Sequence, residues 1–230
     1  YKEAADDSTL VVKGIVTGIM SKTKGNSSNC LYIQDDVGGY YVYAMAQDPL
    51  ESGIQLGMTV RVTGSKDTYS GTLEIANAAV EILDSSISSY GPVDWTEKYE
   101  KATSLKDEDL TREQALLVTV KDVEVTGQDT ASGYYKFKKN GLESYVRISS
   151  SVCPIDKDAQ NELKNGHAEH YGWKADVTGV ICVYDGAFYL SPVEGYDAFT
   201  YVSLPEKSDS EKVSFELDSL TMVDKVVEDT

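Results

Sequence analysis

Apolar residues alternate with polar ones in a series of short runs, and turn-forming clusters separate the runs. Residues 10–19 form the first, a β-rich segment with Gly14 and Gly18 inside it. Glycine within a strand predicts a sharp bend or the close approach of another backbone, as at a barrel corner. A polar loop over 21–29 follows, then runs at 31–34 and 40–44 that flank Asp35-Asp36-Val37-Gly38-Gly39. The paired glycines are expected to supply the positive φ of a tight turn. Pro49, Leu50, Ile54 and Leu56 sit in a short non-β connection, and runs at 59–64 and 72–82 complete the set. Five strands, the first bent and a short link after the third, match a five-stranded Greek-key barrel.

The second half repeats the first. Val62-Thr63-Gly64 with Tyr69 and Gly71 returns as Val177-Thr178-Gly179 with Tyr184 and Gly186, every position 115 residues later. Each copy reads as a β-hairpin closed by Ser-Gly or Asp-Gly. Further runs at 115–125, 134–138 and 144–148 precede the second copy. Between Pro154 and Gly166, Ile155, Ala159 and Leu163 recur every four residues with Asp156 as cap, which predicts a short amphipathic helix. The expected fold is mainly all-β: two five-stranded barrels, the second with a helix between its third and fourth strands. The segments are a tail over 1–9, a first barrel over 10–84, a linker over 85–113, a second barrel over 114–200 and an extension over 201–230. Serines, Gly91 and Pro92 mark the linker, with Trp95, Tyr99 and Leu105 packing across it. The extension carries alternating Val213, Phe215 and Leu217, read as a strand on a barrel or the start of another domain.

Composition limits the chemistry. Sixteen tyrosines against four phenylalanines predict many half-buried or wet aromatic positions. The formal charge of −17 is spread along the 230-residue chain, which argues against tight non-specific binding of polyanions. Cys30, Cys153 and Cys182 form no C-x-x-C pair; they make no disulfide framework, though one bridge is open to them. No apolar run reaches the roughly 20 residues of a membrane-spanning helix. The polar start at Tyr1 reads as a trimmed terminus, and an extracellular or cell-surface location is the expectation.

Residues 12–16, 31–35 with Gly38-Gly39, and 57–64 together resemble the OB-fold domains of exported bacterial proteins. Similar domains serve as accessory modules beside extracellular nucleases and occur in surface lipoproteins of unknown function. The resemblance covers nearly all of 10–83; in the second half it rests on 116–125 and 177–186. It implies tandem OB-folds without a catalytic domain.

Alternation then nominates side chains. With Ile33, Tyr40, Val42 and Ala44 inside the first barrel, Tyr32, Gln34, Tyr41 and Tyr43 point outside, on the strands OB-folds use for ligands. Arg61 joins them. Such tyrosines stack on bases or sugars, or else cover the sheet beside the other domain. Tyr69 and Tyr184 are expected to be buried aromatics closing each barrel mouth. In the second half Tyr134, Tyr135, Lys136, Phe137, Lys138, Lys139, Tyr145 and Arg147 interleave aromatics with cations. Tyr135, Phe137, Tyr145 and Arg147 are the ligand candidates there, against the plainer reading of a solvated strand face and a basic turn.

Neither metal nor cofactor is expected. His167 and His170, the only histidines, flank Glu169 without a fourth ligand, and Asp35-Asp36 lacks the alternating oxygens of a calcium loop. Nucleophile–histidine catalysis needs an imidazole on a rigid element, and no phosphate-binding glycine loop is present. The expected role is a non-catalytic binding or scaffolding module whose ligand is a glycan or a protein, since an acidic field repels phosphate while stacking tolerates neutral sugars. The alternative is single-stranded nucleic acid on the strands of 134–147; a third possibility is a spacer with no ligand.

Overall fold

Alternating runs become strands because a pleated chain buries every second side chain, and a barrel buries one face of all its strands at once. In the computed structural model, which describes residues 1–129, 133–148, 152–165 and 170–203, this occurs twice. The first barrel comprises β1 (Thr9–Met20), β2 (Cys30–Gln34), β3 (Gly39–Val42), β4 (Thr59–Tyr69) and β5 (Thr72–Asp84), closed in the order β1-β2-β3-β5-β4. Its core holds Val16, Leu31, Ile33, Val42, Val60, Val62 and Ile75.

After the short β6 (Val93–Asp94) and helices α1 (Thr96–Lys101) and α2 (Glu108–Thr111), the order recurs. β7 (Leu117–Asp129), β8 (Tyr134–Lys139), β9 (Leu142–Arg147), β10 (Lys174–Tyr184) and β11 (Ala187–Ser191) pair as their counterparts do, with β7–β10 closing the ring. The parallel contact β3–β5 has its equivalent in β9–β11. Helix α3 (Lys157–Asn165) falls between β9 and β10, and the Asp156 carboxylate accepts from the Ala159 amide at 2.7 Å, the cap the sequence suggested. Two strands are added to the second sheet: β6 alongside β7, and β12 (Phe199–Ser203) alongside β10. Trp95, Tyr99 and Leu110 bury themselves in the second core. Residues 204–230, with Val213, Phe215 and Leu217, lie outside the described residues.

The repeated motif has a steric basis. A Cβ on Gly64 would lie 2.7 Å from the Ala76 carbonyl oxygen, and one on Gly179 would lie 2.5 Å from that of Ser191. Ala76 and Ser191 are themselves 115 residues apart, so the same close strand approach is written in both copies. Both turns then take positive φ at both central residues, Ser70-Gly71 and Asp185-Gly186, as a two-residue hairpin of this hand requires.

Gly38-Gly39 departs from expectation, because neither residue has positive φ. Gly39 is needed instead at an interface: a Cβ there would lie 2.2 Å from the Ala115 carbonyl carbon at the entry to the second barrel. Gly18 plays a similar part, leaving room for Pro154. The barrels meet along a seam built from Met20, Cys30, Tyr32 and Tyr41 of the first and Leu117, Val180, Cys182, Tyr189 and Val193 of the second. Polar contacts stitch its edges. Gln114 bridges the Gly71 carbonyl and the Leu73 amide, both at 2.9 Å, and the Asp185 amide donates to the Ser70 carbonyl at 2.8 Å. The two equivalent hairpin tips therefore touch each other.

Candidate functional site

The outward face of β2 and β3 is the first place to look for a ligand, and the second barrel covers it. Tyr32 is 1% exposed and Tyr41 2%. Their rings stack at 4.8 Å, and the Tyr32 hydroxyl donates to the Val152 carbonyl at 2.6 Å. Gln34 is also committed, its side-chain oxygen accepting from the Leu117 amide at 3.3 Å. Burial holds both tyrosine hydroxyls well above the ordinary range, consistent with a dry seam. These side chains do point away from their own barrel, as alternation requires, yet they meet protein rather than solvent. Arg61 lies apart on β4, in an exposed pair with Glu81.

The corresponding face of the second barrel stays open. Tyr135 and Phe137 do not contribute to it: both are fully buried in the second core, because the pleat turns them inward. Their neighbours Tyr134, Lys136 and Lys138 face outward, together with Glu143, Tyr145 and Arg147 of β9. Tyr134 stacks on Tyr145 at 4.7 Å, and Tyr145 stacks on Tyr189 of β11 at 5.2 Å with ring planes 12° apart. The Arg147 guanidinium carbon lies 5.5 Å from the Tyr134 ring and 5.8 Å from that of Tyr189, within cation–π reach of both. Lys136 pairs with Glu143 at 3.4 Å, and Lys139 is held by Glu100 and Asp122. The turn at Asn140-Gly141 is the basic hairpin turn read from the sequence, with positive φ at both residues.

Arg147 also lines a cleft of about 370 Å³ at the edge of the seam, with Tyr43, Tyr69, Glu74, Tyr184 and Tyr189 among its walls. Tyr69 and Tyr184 do not plug their barrels. They are 64% and 47% exposed, because the touching hairpin tips hold both rings out over the cleft. Glu74 is 5% exposed, and burial, with Asp67 adding repulsion, pushes its carboxyl up to about 7. Among the described residues nothing hydrogen-bonds or pairs with that carboxylate, and the Arg147 Nε is buried without a hydrogen-bond partner.

The structure thus joins Tyr43, Tyr145 and Arg147 around one region and adds Tyr134, Glu74, Tyr184 and Tyr189. Glu74 and Tyr189 were legible in principle, since they are equivalent positions of the repeat, as Tyr69 and Tyr184 are. Nothing in a linear pattern says that the two equivalent hairpins converge.

Other chemistry finds little support. His167 and Glu169 lie outside the described residues, while His170 stacks on Tyr201 at 4.1 Å. Among the described residues no group of histidine, cysteine or carboxylate side chains has the arrangement to hold a metal. The three cysteines are buried free thiols, and burial pushes Cys153 and Cys182 up to about 12, which disfavours the reactive thiolate. No described helix is long and apolar enough to cross a membrane.

No protein-family model and no curated protein matches the chain. Among solved structures, the chain is similar to the Ifi202 HINa domain in complex with 20-bp dsDNA, at 12% identity and TM-score 0.35, over 88% of this chain and 99% of that one. The p204 HINb domain aligns at 11% identity and TM-score 0.36, over 86% and 100%. A replication protein A heterotrimer bound to ssDNA aligns at 13% identity and TM-score 0.32, over 95% and 54%. Likeness this distant carries no inference about ligand.

Proposed function

We propose that this chain is a non-catalytic binding module for single-stranded nucleic acid, acting through the outer face of β8 and β9. The observation that carries the reading is the half-buried Tyr134–Tyr145 pair on the open face, backed by Tyr189 of the seam, with Arg147 set against the Tyr134 and Tyr189 rings. Base faces stack on such rings whatever the sequence, and guanidinium serves both phosphate and π-face. Residues 134–147 carry Lys136, Lys138, Lys139 and Arg147 against Glu143, and with Lys136 paired to Glu143 and Lys139 to Glu100 and Asp122, Lys138 and Arg147 are the cations this face offers to phosphate. Burial of Tyr32 and Tyr41 withdraws two of the three first-barrel tyrosines expected to stack on bases or sugars. The overall charge of −17 limits affinity, and the few cations on the face set the salt dependence at about −0.7 in the slope of log K against log[salt] for each phosphate contact.

Fluorescence anisotropy with labelled oligo-dT at low and physiological salt tests this, beside a glycan panel. Binding should fall with salt at a slope of about −1 to −2 in log K against log[salt], and Tyr145→Ala should weaken it by about 1–3 kcal/mol, the worth of one stacked base. Sugar binding that is indifferent to salt and lost in Tyr145→Ala would return the ligand to a glycan; silence toward both would leave a spacer.

A further inference from the structure

Arg147 belongs to two places at once. It stands against the rings of the open face and also forms part of the wall of the inter-barrel cleft. A strand of ligand passing over Tyr134 and Tyr145 would therefore run toward Arg147 and the mouth of that cleft.

The cleft has the chemistry of an unfilled site. Its volume of about 370 Å³ falls within the range of small-molecule pockets. Arg147 Nε is a donor cut off from water with no acceptor. Glu74 is an acceptor, nearly removed from water, with neither donor nor counter-ion among the described residues. The Glu74 carboxylate is costly alone and is relieved by one complementary donor entering the cleft, whereas the Arg147 Nε lies below the surface and leaves the rest of the guanidinium to meet a ligand. Tyr43, Tyr69, Tyr184 and Tyr189 supply ring faces between them, and the first three retain exposure to an entering ligand. The duplication makes the site asymmetric. Position 74 of the first copy is a carboxylate where its equivalent, position 189, is an aromatic ring.

We infer that the cleft is a base subsite: an unstacked cytosine or adenine, whose amine stands where thymine and guanine carry a carbonyl oxygen, enters among the tyrosines and donates to Glu74, while Arg147 holds the adjoining phosphate. This deepens the nucleic-acid reading and rests on it. The cytosine N4 and adenine N6 groups are donors, whereas thymine places its O4 acceptor at the same position and meets the carboxylate favourably only by turning to its single N3–H.

The test compares labelled dodecamers of deoxycytidine, deoxyadenosine and deoxythymidine on the full 230-residue chain at pH 8.5, where the Glu74 carboxyl, pushed up to about 7, is ionised and only accepts. The cytidine and adenosine oligomers should bind about tenfold tighter than the thymidine oligomer, within the range a base-edge contact supports. Glu74→Gln, whose amide both donates and accepts, should reduce that ratio to about twofold or less. A dodecamer carrying one 5-iodocytosine, cross-linked to the unmutated chain by light, should label Tyr69 or Tyr184. Equal affinity for the three homopolymers, or cross-links confined to Tyr134 and Tyr145, overturns the subsite and leaves the open-face reading standing. Absence of binding to every oligonucleotide overturns both.

Discussion

The two barrels share one strand order but use the same face in opposite ways. In the first, the outward side chains of β2 are Cys30, Tyr32 and Gln34, and they pack into the seam. In the second, the outward side chains of β8 are Tyr134, Lys136 and Lys138, and they stay wet. The difference is one of desolvation. Tyrosine and cysteine are buried at little cost once a hydroxyl finds an acceptor, whereas a buried ammonium needs a partner of opposite charge. Two lysines at alternate positions thus keep a sheet face open, and their absence lets the equivalent face become an interface.

That contrast can be broken most directly at its buried end. Tyr32→Ala should destabilise the protein by about 3–5 kcal/mol in urea, because the cavity opens in the seam and the bond to Val152 is lost. Tyr134→Ala should cost about 1 kcal/mol or less. Equal losses at the two sites would refute the division into closed and open faces.

Gly39→Ala comes next, at about 3 kcal/mol, since its Cβ would strike the Ala115 backbone rather than a side chain able to move. Gly64→Ala and Gly179→Ala offer a sharper comparison. The carbonyl clashes they create are equivalent, so the two costs should agree within about 1 kcal/mol if the copies are alike in their bent strands.

The cleft should show itself in the pH dependence of stability. The folded protein holds the Glu74 proton more tightly than the unfolded chain, so stability should fall as pH rises from 4.5 toward about 7, an effect of order 1–2 kcal/mol. Asp67 sets part of that shift, and Tyr1, Tyr41 and Cys30 lie within the same electrostatic neighbourhood. Calorimetric Tm values between pH 5 and 8 should lose this slope in Glu74→Gln. The smallest effect belongs to the exposed rings: Tyr69→Ala should change stability by about 0.5 kcal/mol or less. A larger loss would restore the role of barrel plug that its place in the sequence suggested.

The sequence by itself determined the two barrels. Period-two runs, the duplicated Val-Thr-Gly motif and the Ser-Gly and Asp-Gly turns are local signals, and strand pairing and turn geometry obey local rules. It also placed Tyr145 and Arg147 on a strand beside lysines. Tertiary structure alone decided how the barrels dock, and with that the burial of Tyr32 and Tyr41, the exposure of Tyr69 and Tyr184, and the placing of Glu74 and Arg147 in the walls of one cleft. Alternation tells a side chain which way to point from its own sheet. What it meets there depends on a partner surface far away in the chain, and no short-range periodicity encodes that.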